Sequence, residues 1–143
     1  MTACLLDVNV LVSLVRPQQS GHSKVTEWFR ENRGKPWATC PLTEAGFVRV
    51  ASNTEFTSVP LGMSDVLAML EEITKLPGHQ FWPLEFNFSE AVVGFEDRFF
   101  GHQQVTDLYL LALVVRNKGS LVTLDHGIAA LAGRGYQKHL VLL

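Results

Sequence analysis

The sequence has few cysteines and no long apolar run, and these absences exclude several classes of protein. Only Cys4 and Cys40 are cysteines among 143 residues, whereas a secreted disulfide scaffold carries more and begins with a signal peptide. Both lie in short apolar segments, so we expect buried free thiols. The apolar start of the chain lacks a basic segment and is interrupted by Asp7, which argues against a signal peptide or a membrane span. We therefore expect a cytoplasmic protein with no membrane partner.

A dominant charge and the common catalytic motifs are absent as well. The 12 Lys and Arg residues against 14 Asp and Glu residues give a net charge of −2, which argues against a general binder of polyanions. The sequence has no glycine-rich phosphate loop, no nucleophile elbow and no cysteine–histidine signature. Its five histidines lack the spacing of zinc ligands. We expect them at the surface or in loops: His22, His79, His102, His126 and His139.

Short apolar runs alternate with longer amphipathic segments along the chain. A hydrophobic fraction of 47% and a charged fraction of 18% suit a compact protein, and no repeat or linker divides residues 1–143, which we treat as one domain. Strands alternating with helices predict a three-layer α/β/α sandwich with a mainly parallel central sheet. The predicted strands are 3–6, 37–40, 81–84, 121–124 and 140–143. The predicted helices are 8–15, 20–34, 41–53, 64–76, 88–99, 107–118 and 128–131.

Four acidic residues occupy positions where strands end or helices begin. Asp7 and Asp125 follow the first and fourth predicted strands, and Glu44 and Asp107 lie in the first turns of predicted helices. A parallel sheet gathers such positions along one edge, where these folds bind their ligands. Crowded carboxylates raise one another's pKa, and a divalent cation would keep them ionised. Because oxygen ligands select hard cations, the sequence predicts a Mg²⁺ or Mn²⁺ site rather than a zinc site.

Purely structural roles are also open to these four acids. Asp7 and Asp125 are suitable helix N-caps. Glu44 and Asp107 are favourable near helix N-termini, although each begins the core-facing stripe of its helix. A phosphatase-like phosphohydrolase would use Asp7 as nucleophile, with Asn9 in place of a second aspartate, but it leaves the two helix-start acids without a role. A third alternative is a non-catalytic binding module that keeps the fold.

The ordered set of motifs resembles the PIN-domain ribonucleases, and specifically the VapC toxins of prokaryotic toxin–antitoxin modules. The resemblance runs from Asp7 to Asp125 and so covers nearly the whole chain. Each motif alone is common, but their order and separation together are specific. The segment from Gly21 to Phe29 also resembles a subgroup of these toxins. The matching motifs are Leu6-Asp7-Val8-Asn9-Val10-Leu11, Thr43-Glu44, Val105-Thr106-Asp107-Leu108-Tyr109-Leu110-Leu111-Ala112-Leu113 and Leu121-Val122-Thr123-Leu124-Asp125.

The resemblance implies a PIN-like fold and an endoribonuclease that depends on Mg²⁺, with Mn²⁺ as the alternative. Such an enzyme hydrolyses RNA phosphodiester bonds through metal-activated water. Asn9 and Thr123 would be polar supports for the first and last of the acids. The catalytic and metal-binding residues implied by position are Asp7 and Asp107 as direct ligands, with Glu44 and Asp125 completing the site directly or through water.

The resemblance also implies three partners: an RNA substrate, a cognate VapB-like antitoxin whose C-terminal segment lies across the active-site groove, and a second copy in a homodimer. Large apolar side chains are candidates to line that groove, with core packing as the alternative: Trp28, Phe29, Phe47 and Phe56. Basic side chains are candidates to contact the RNA backbone, with solvated surface charge as the alternative: Arg16, Lys24, Arg49, Arg98 and Arg116.

Overall fold

The structure, a computed structural model, describes residues 2–53, 61–95 and 101–143 and contains one parallel sheet. Its strands are β1 (Cys4–Leu6), β2 (Trp37–Thr39), β3 (His79–Phe81), β4 (Ser120–Thr123) and β5 (Leu140–Leu142). They lie in the order β3-β2-β1-β4-β5, and all neighbouring pairs are parallel. The first strand of the chain is therefore the middle strand of the sheet.

Seven α-helices connect and cover the strands within the part of the chain that the structure describes. They are α1 (Val8–Val15), α2 (His22–Glu31), α3 (Pro41–Ala51), α4 (Met63–Thr74), α5 (Phe88–Ala91), α6 (Val105–Arg116) and α7 (Ile128–Tyr136). Two 3₁₀ turns, His102–Gln104 and Gln137–His139, precede α6 and β5. None of the described helices is long and apolar enough to cross a membrane.

Side chains of the central strands alternate between two apolar cores, one on each face of the sheet. Leu5 and Leu121 pack into the core that α5, α6 and α7 cover. Leu6 and Val122 pack into the core that α1 to α4 cover, where Phe47 is fully buried. This alternation is the two-residue period of a strand with both faces covered. The predicted three-layer α/β/α sandwich is thereby confirmed.

Helices α1 and α3 pack at very short range. A Cβ atom placed on Gly46 would lie only 2.4 Å from Cγ2 of Val8, so only glycine permits this approach. Pro41 begins α3, where its missing N–H costs nothing, and Thr43 Oγ1 accepts a hydrogen bond from Cys40 N at 3.0 Å. Because Val8 follows Asp7 and Gly46 lies two residues after Glu44, this contact sets how closely the backbones of two candidate site residues approach.

The third strand was predicted two residues too late. It spans His79–Phe81 instead of 81–84, and its last pair with β2 joins Phe81 to Thr39. Trp82 N still donates to Thr39 O at 2.9 Å, but Pro83 has no N–H and the ladder cannot continue. The prediction from Pro83 that this is an edge strand agrees with the strand order.

Two helices begin one or two residues earlier than predicted. Helix α6 begins at Val105, so Thr106 is its second residue. The preceding 3₁₀ turn, which occupies a predicted loop, runs directly into the helix and leaves no position for a side-chain cap. Helix α4 begins before Ser64, and Asp65 instead accepts a hydrogen bond from Gly62 N at 3.3 Å.

The lengths of two helices also differ from prediction. Helix α5 is a single turn, because the chain bends after it and Gly94 takes a φ of +94° that no right-handed helix contains. Residues 96–99 of the longer predicted helix lie outside the described residues. Helix α7 extends to Tyr136 rather than stopping near Leu131, with a kink at Gly133. Neither difference moves the acids discussed below.

Candidate active site

All four candidate acids lie at the carboxyl edge of neighbouring strands, and Glu44 does so in the first turn of α3, which follows β2. Asp7 directly follows β1, Asp125 comes two residues after the end of β4, and Asp107 is in the first turn of α6. β1 is flanked by β2 on one side and β4 on the other, so the order of connection reverses here. Such switch points open a crevice beyond the strand ends, where parallel α/β folds bind ligands.

Asp7 is held by both of its carboxylate oxygens. Oδ1 accepts from Val8 N at 2.7 Å, which caps α1, and Oδ2 accepts from Thr123 Oγ1 at 2.7 Å. The residue is only 7% exposed. The structural role of Asp7 as an N-cap is therefore correct, but it does not compete with a site role, because the same bonds fix the carboxylate at the crevice.

Asn9 and Thr123 link β1 to β4 around this carboxylate. Asn9 Nδ2 lies 3.5 Å from Asp7 Oδ2 and 3.3 Å from Thr123 Oγ1, while Asn9 Oδ1 accepts from Leu124 N at 3.1 Å. Thr123 Oγ1 accepts from Asp125 N at 3.0 Å. Asp125 itself is exposed, and its Oδ1 accepts from the N–H of the second residue after it at 2.9 Å. The side chains of Asn9 and Thr123 thus connect the Asp7 carboxylate to the backbone at Asp125 and the residue before it.

Burial and neighbouring charges oppose the ionisation of Asp7 and Asp107. Burial raises the pKa of the Asp107 carboxyl to about 6, and the charges of Asp7 and Asp125 add to this rise. Burial also raises the pKa of Asp7, against the lowering effect of its hydrogen bonds from Thr123 and Val8, and the Asp125 charge raises it further. Since these carboxylates disfavour ionisation of their neighbours, a positive charge in the crevice would stabilise all three.

The donor set suits a hydrated hard cation rather than a closed cage. Asp7, Asp107 and Asp125 offer oxygen atoms only, which Mg²⁺ and Mn²⁺ prefer. Across residues 2–53, 61–95 and 101–143, no three acidic, histidine or cysteine side chains converge closely enough to form a ready-made metal cluster. Mg²⁺ commonly keeps several waters and uses one or two carboxylates. The side chains present therefore fit such an ion, with water completing its coordination.

Glu44 belongs to a separate hydrogen-bonded group. Its Oε2 accepts from Thr39 Oγ1 at 2.6 Å, and the same Thr39 oxygen lies 2.8 Å from Nε2 of His79. Burial lowers the pKa of His79, and the Glu44 charge partly opposes this. Sequence reasoning missed Thr39 and His79. The available signal was a threonine at the end of β2, which matches Thr123 at the end of β4.

A family model described as the PIN domain matches residues 4–134 of the chain. The chain belongs to the PIN-domain family. This PIN-domain protein is 41% identical over 135 residues to Ribonuclease VapC39 of Mycobacterium tuberculosis, a match that covers 94% of the chain and 96% of the relative. It is 40% identical over 128 residues to Ribonuclease VapC38 of the same organism, covering 90% and 89%. Ribonuclease VapC44 of that organism is 36% identical over 140 residues, covering 97% and 98%. The resemblance drawn from the motifs is confirmed.

The candidate basic residues of the PIN domain have different surroundings. Arg16 is only 7% exposed, and its Nη2 donates to Ala51 O at 2.9 Å, so it ties α1 to the end of α3. Within the described residues its Nε has no hydrogen-bond partner. Arg16 is therefore neither a solvated surface charge nor open to a phosphate. Arg116 lies with its guanidinium carbon 4.5 Å from the Phe86 ring centre, at the opposite end of α6 from Asp107.

Lys24 is a candidate cation whose helix begins beside the acid edge. It is exposed in the first turn of α2, and that helix begins against Leu124, since a Cβ on Gly21 would lie 2.5 Å from a Leu124 methyl carbon. Leu124 immediately precedes Asp125. Arg49 is exposed in the last turn of α3, and Arg98 lies outside the described residues. Of the four candidate cations that the structure describes, Lys24 is thus the one whose helix begins beside the acid edge, where a strand of RNA would enter the crevice.

The candidate groove residues also divide. Phe47 is fully buried in the core and Phe56 lies outside the described residues. Trp28 and Phe29 line a cavity of about 600 Å³ that reaches the start of β1 and β2. That is the end of the sheet opposite the acids, so these two side chains do not line the acid crevice. Basic side chains border the same cavity: Arg30, Arg33 and Lys35.

Several histidines are more enclosed than expected. His22 Nδ1 lies 2.7 Å from Ser13 O, and His139 Nδ1 lies 2.8 Å from Gly119 O. Both histidines are half-buried, as is His79. The expectation of surface or loop positions is therefore wrong for His22 and His79, which belong to α2 and β3, because ring nitrogens can satisfy buried backbone carbonyls and hydroxyls.

Proposed function

We propose that this PIN-domain protein is an endoribonuclease that depends on Mg²⁺ or Mn²⁺ and acts in the cytoplasm as the toxin of a type II toxin–antitoxin pair. The observation that carries the proposal is the position of Asp7, Asp107 and Asp125 at the switch point of the sheet, where the charges of Asp7 and Asp125 raise the pKa of Asp107 and a cation would oppose that rise. The names of the mycobacterial relatives, which are ribonucleases, support RNA as the substrate.

The chain's own residues would hold the ion and the RNA in defined positions. Asp7 and Asp107 are the direct ligands, because both are partly or largely buried at the crevice, whereas the exposed Asp125 acts through water. When bound, the cation supplies a lowered pKa for coordinated water and neutralises phosphate charge. Thr123 keeps Asp7 from rotating, and Lys24 attracts the RNA backbone. Glu44 orients water from the neighbouring helix.

The phosphatase-like alternative fits less well. A nucleophilic aspartate turns one of its oxygens into the bridging oxygen of an acyl phosphate, but both oxygens of Asp7 accept hydrogen bonds of 2.7 Å, from Val8 N and from Thr123 Oγ1. Attack would break the cap of α1 or the link to β4. A metal ion can instead share such an oxygen, because each carboxylate oxygen has two lone pairs. The non-catalytic module remains the alternative against which activity must be tested.

The test compares Asp7→Asn and Asp107→Asn with the unaltered protein. We expect each variant to lose RNA cleavage, because each removes a metal ligand, while folding without metal is preserved or improved by relief of repulsion. Asp65→Asn is a matched control, since Asp65 is exposed in the first turn of α4. Metal-dependent cleavage at an undiminished rate by either site variant would contradict the assignment of that aspartate as a metal ligand.

The antitoxin is proposed to inhibit by contacts at two places. An apolar segment with acidic residues suits the cavity beside Trp28 and Phe29, because the charged side chains that line it in the described part of the chain are basic. An arginine from the antitoxin can enter the acid crevice and meet two carboxylates at once.

Expression of the protein alone should arrest growth, and co-expression with the antitoxin should restore it. If the purified complex binds Mn²⁺ as tightly as the free toxin does, the antitoxin inhibits by covering the acid crevice and not by displacing the metal.

A homodimer remains part of the proposal, because the sequence resemblance implies it. Sedimentation of the free protein at several concentrations decides the point. A single species at the monomer mass throughout would remove the homodimer from the proposal.

A further inference from the structure

Three side chains form a hydrogen-bonded chain from β3 through β2 to α3: His79, Thr39 and Glu44. Thr39 is fully buried at the end of β2, with its Oγ1 2.6 Å from Glu44 Oε2 and 2.8 Å from His79 Nε2. Trp37 packs edge-on against the His79 ring, with centroids 4.8 Å apart. The imidazole therefore has little freedom to turn, and the threonine hydroxyl is placed between a ring nitrogen and a carboxylate.

The direction of both hydrogen bonds follows from the number of available protons. An ionised carboxylate can only accept, so the single hydroxyl proton of Thr39 must point to Glu44. The oxygen of that hydroxyl then has only lone pairs to offer to His79. Nε2 of His79 must consequently carry a proton and donate it. The chain runs from His79 Nε2–H to Thr39 Oγ1–H to Glu44 Oε2.

We propose that Thr39 and His79 are positioning residues for Glu44, and that they hold its carboxylate in one orientation for the active site. Among the described residues, the hydrogen bond from Thr39 is to Oε2. Each carboxylate oxygen has two lone pairs, so Oε2 keeps one and Oε1 keeps both. Oε1 is therefore the oxygen better able to hold the cation or a water. This inference rests on the proposed ribonuclease function, because it assigns Glu44 its orientation within that site.

The same chain accounts for how Glu44 can be ordered although its hydrogen-bonded group is separate from that of Asp7. Its own helix fixes the backbone, but a glutamate has three rotatable bonds and would otherwise sample several positions. A bond to the fully buried Thr39 removes that freedom, and His79 fixes which way the hydroxyl points. Partners of this kind are typically worth about 10-fold to 100-fold in metal affinity or activity.

The first experiment removes the hydroxyl. Thr39→Val should lower the rate of single-turnover RNA cleavage in Mn²⁺ by about 10-fold to 100-fold, whereas Thr39→Ser, which keeps the hydroxyl, should restore most of it. Thr74→Val is a matched control, because Thr74 bonds only to Glu71 O within α4. The decisive comparison is made in a Glu44→Gln background, where Thr39→Val should cause no further loss. An equal loss in both backgrounds would mean that Thr39 acts on the fold alone and would overturn the proposal.

The second experiment needs neither metal nor activity. Nitrogen NMR of the His79 ring should find the proton on Nε2 in the unaltered protein, protected from exchange with solvent, and that protection should disappear in Thr39→Val. If the proton is on Nδ1 and Nε2 is unprotonated, Thr39 must donate its hydroxyl proton to His79 and can no longer donate it to Glu44. That result would overturn the proposal. If the unaltered protein cleaves no RNA with Mn²⁺, the proposed function fails, and the NMR result still decides the direction of the chain.

Discussion

The contact between α1 and α3 allows a stability prediction with a defined sign and size. A Cβ at position 46 would lie 2.4 Å from Val8 Cγ2, whereas carbon atoms pack at about 3.5–4.0 Å. In Gly46→Ala the helices must therefore separate by about 1 Å or more. Overpacking of this kind costs about 1–3 kcal/mol, while alanine in a helix interior gains about 1 kcal/mol over glycine. We expect a net loss of about 0–2 kcal/mol in the free energy of unfolding.

Removing the obstructing methyl groups should change the sign. In a Val8→Ala background the added Cβ meets no side-chain carbon of residue 8 beyond its own Cβ, so Gly46→Ala should now stabilise the fold by about 1 kcal/mol. Urea denaturation of the four proteins gives the coupling energy between the two positions, which should be about 1–3 kcal/mol. RNA cleavage should follow the same pattern, since displacement by about 1 Å can cost about 100-fold in rate. A coupling energy below about 0.5 kcal/mol would refute the steric argument, because that is the additivity expected of independent sites.

Two further predictions concern the acid crevice. Cleavage should proceed with Mg²⁺ or Mn²⁺ and poorly with Ca²⁺, which prefers bonds of roughly 2.3–2.6 Å and more ligands; full activity after exhaustive EDTA treatment would contradict a metal mechanism. The pKa of Asp107 is raised from 3.8 to about 6, so the folded state holds this proton more tightly than the unfolded chain. Metal-free protein should therefore lose stability as pH rises from about 4 to about 6, relative to Asp107→Asn measured alongside it. A difference between the two proteins that stays constant over this range would show that Asp107 is not the group responsible.

The arrangement of strands and helices could be predicted because both signals are local. Apolar runs of strand length alternate with amphipathic segments, and this pattern survives errors of one or two residues at the ends. The position of β3 could not be predicted as well, because its pairing depends on β2, a partner about 40 residues away. Pro83 marked the end of that strand rather than its middle.

The positions of the acids could be predicted for a similar reason. A parallel sheet places all strand ends at one edge, so Asp7 and Asp125 needed only the correct strands. The surroundings of Glu44 could not be predicted, because they depend on side chains of β2 and β3. No sequence pattern pairs those side chains with Glu44. The burial of Arg16 could not be predicted either. A basic residue next to Pro17 is typical of a surface turn, and the contact that buries Arg16 is the tertiary one with Ala51.

The central place of the first strand has a consequence for the order of events during synthesis. Thr123, which donates a hydrogen bond to Asp7, is synthesised 116 residues after it. At roughly 5–20 residues per second this is a wait of roughly 6–23 s, during which the middle of the sheet lacks a neighbour on one side. The acid crevice cannot form until β4 has been translated, so we expect the proposed ribonuclease to be unable to attack RNA, including its own message, during that interval.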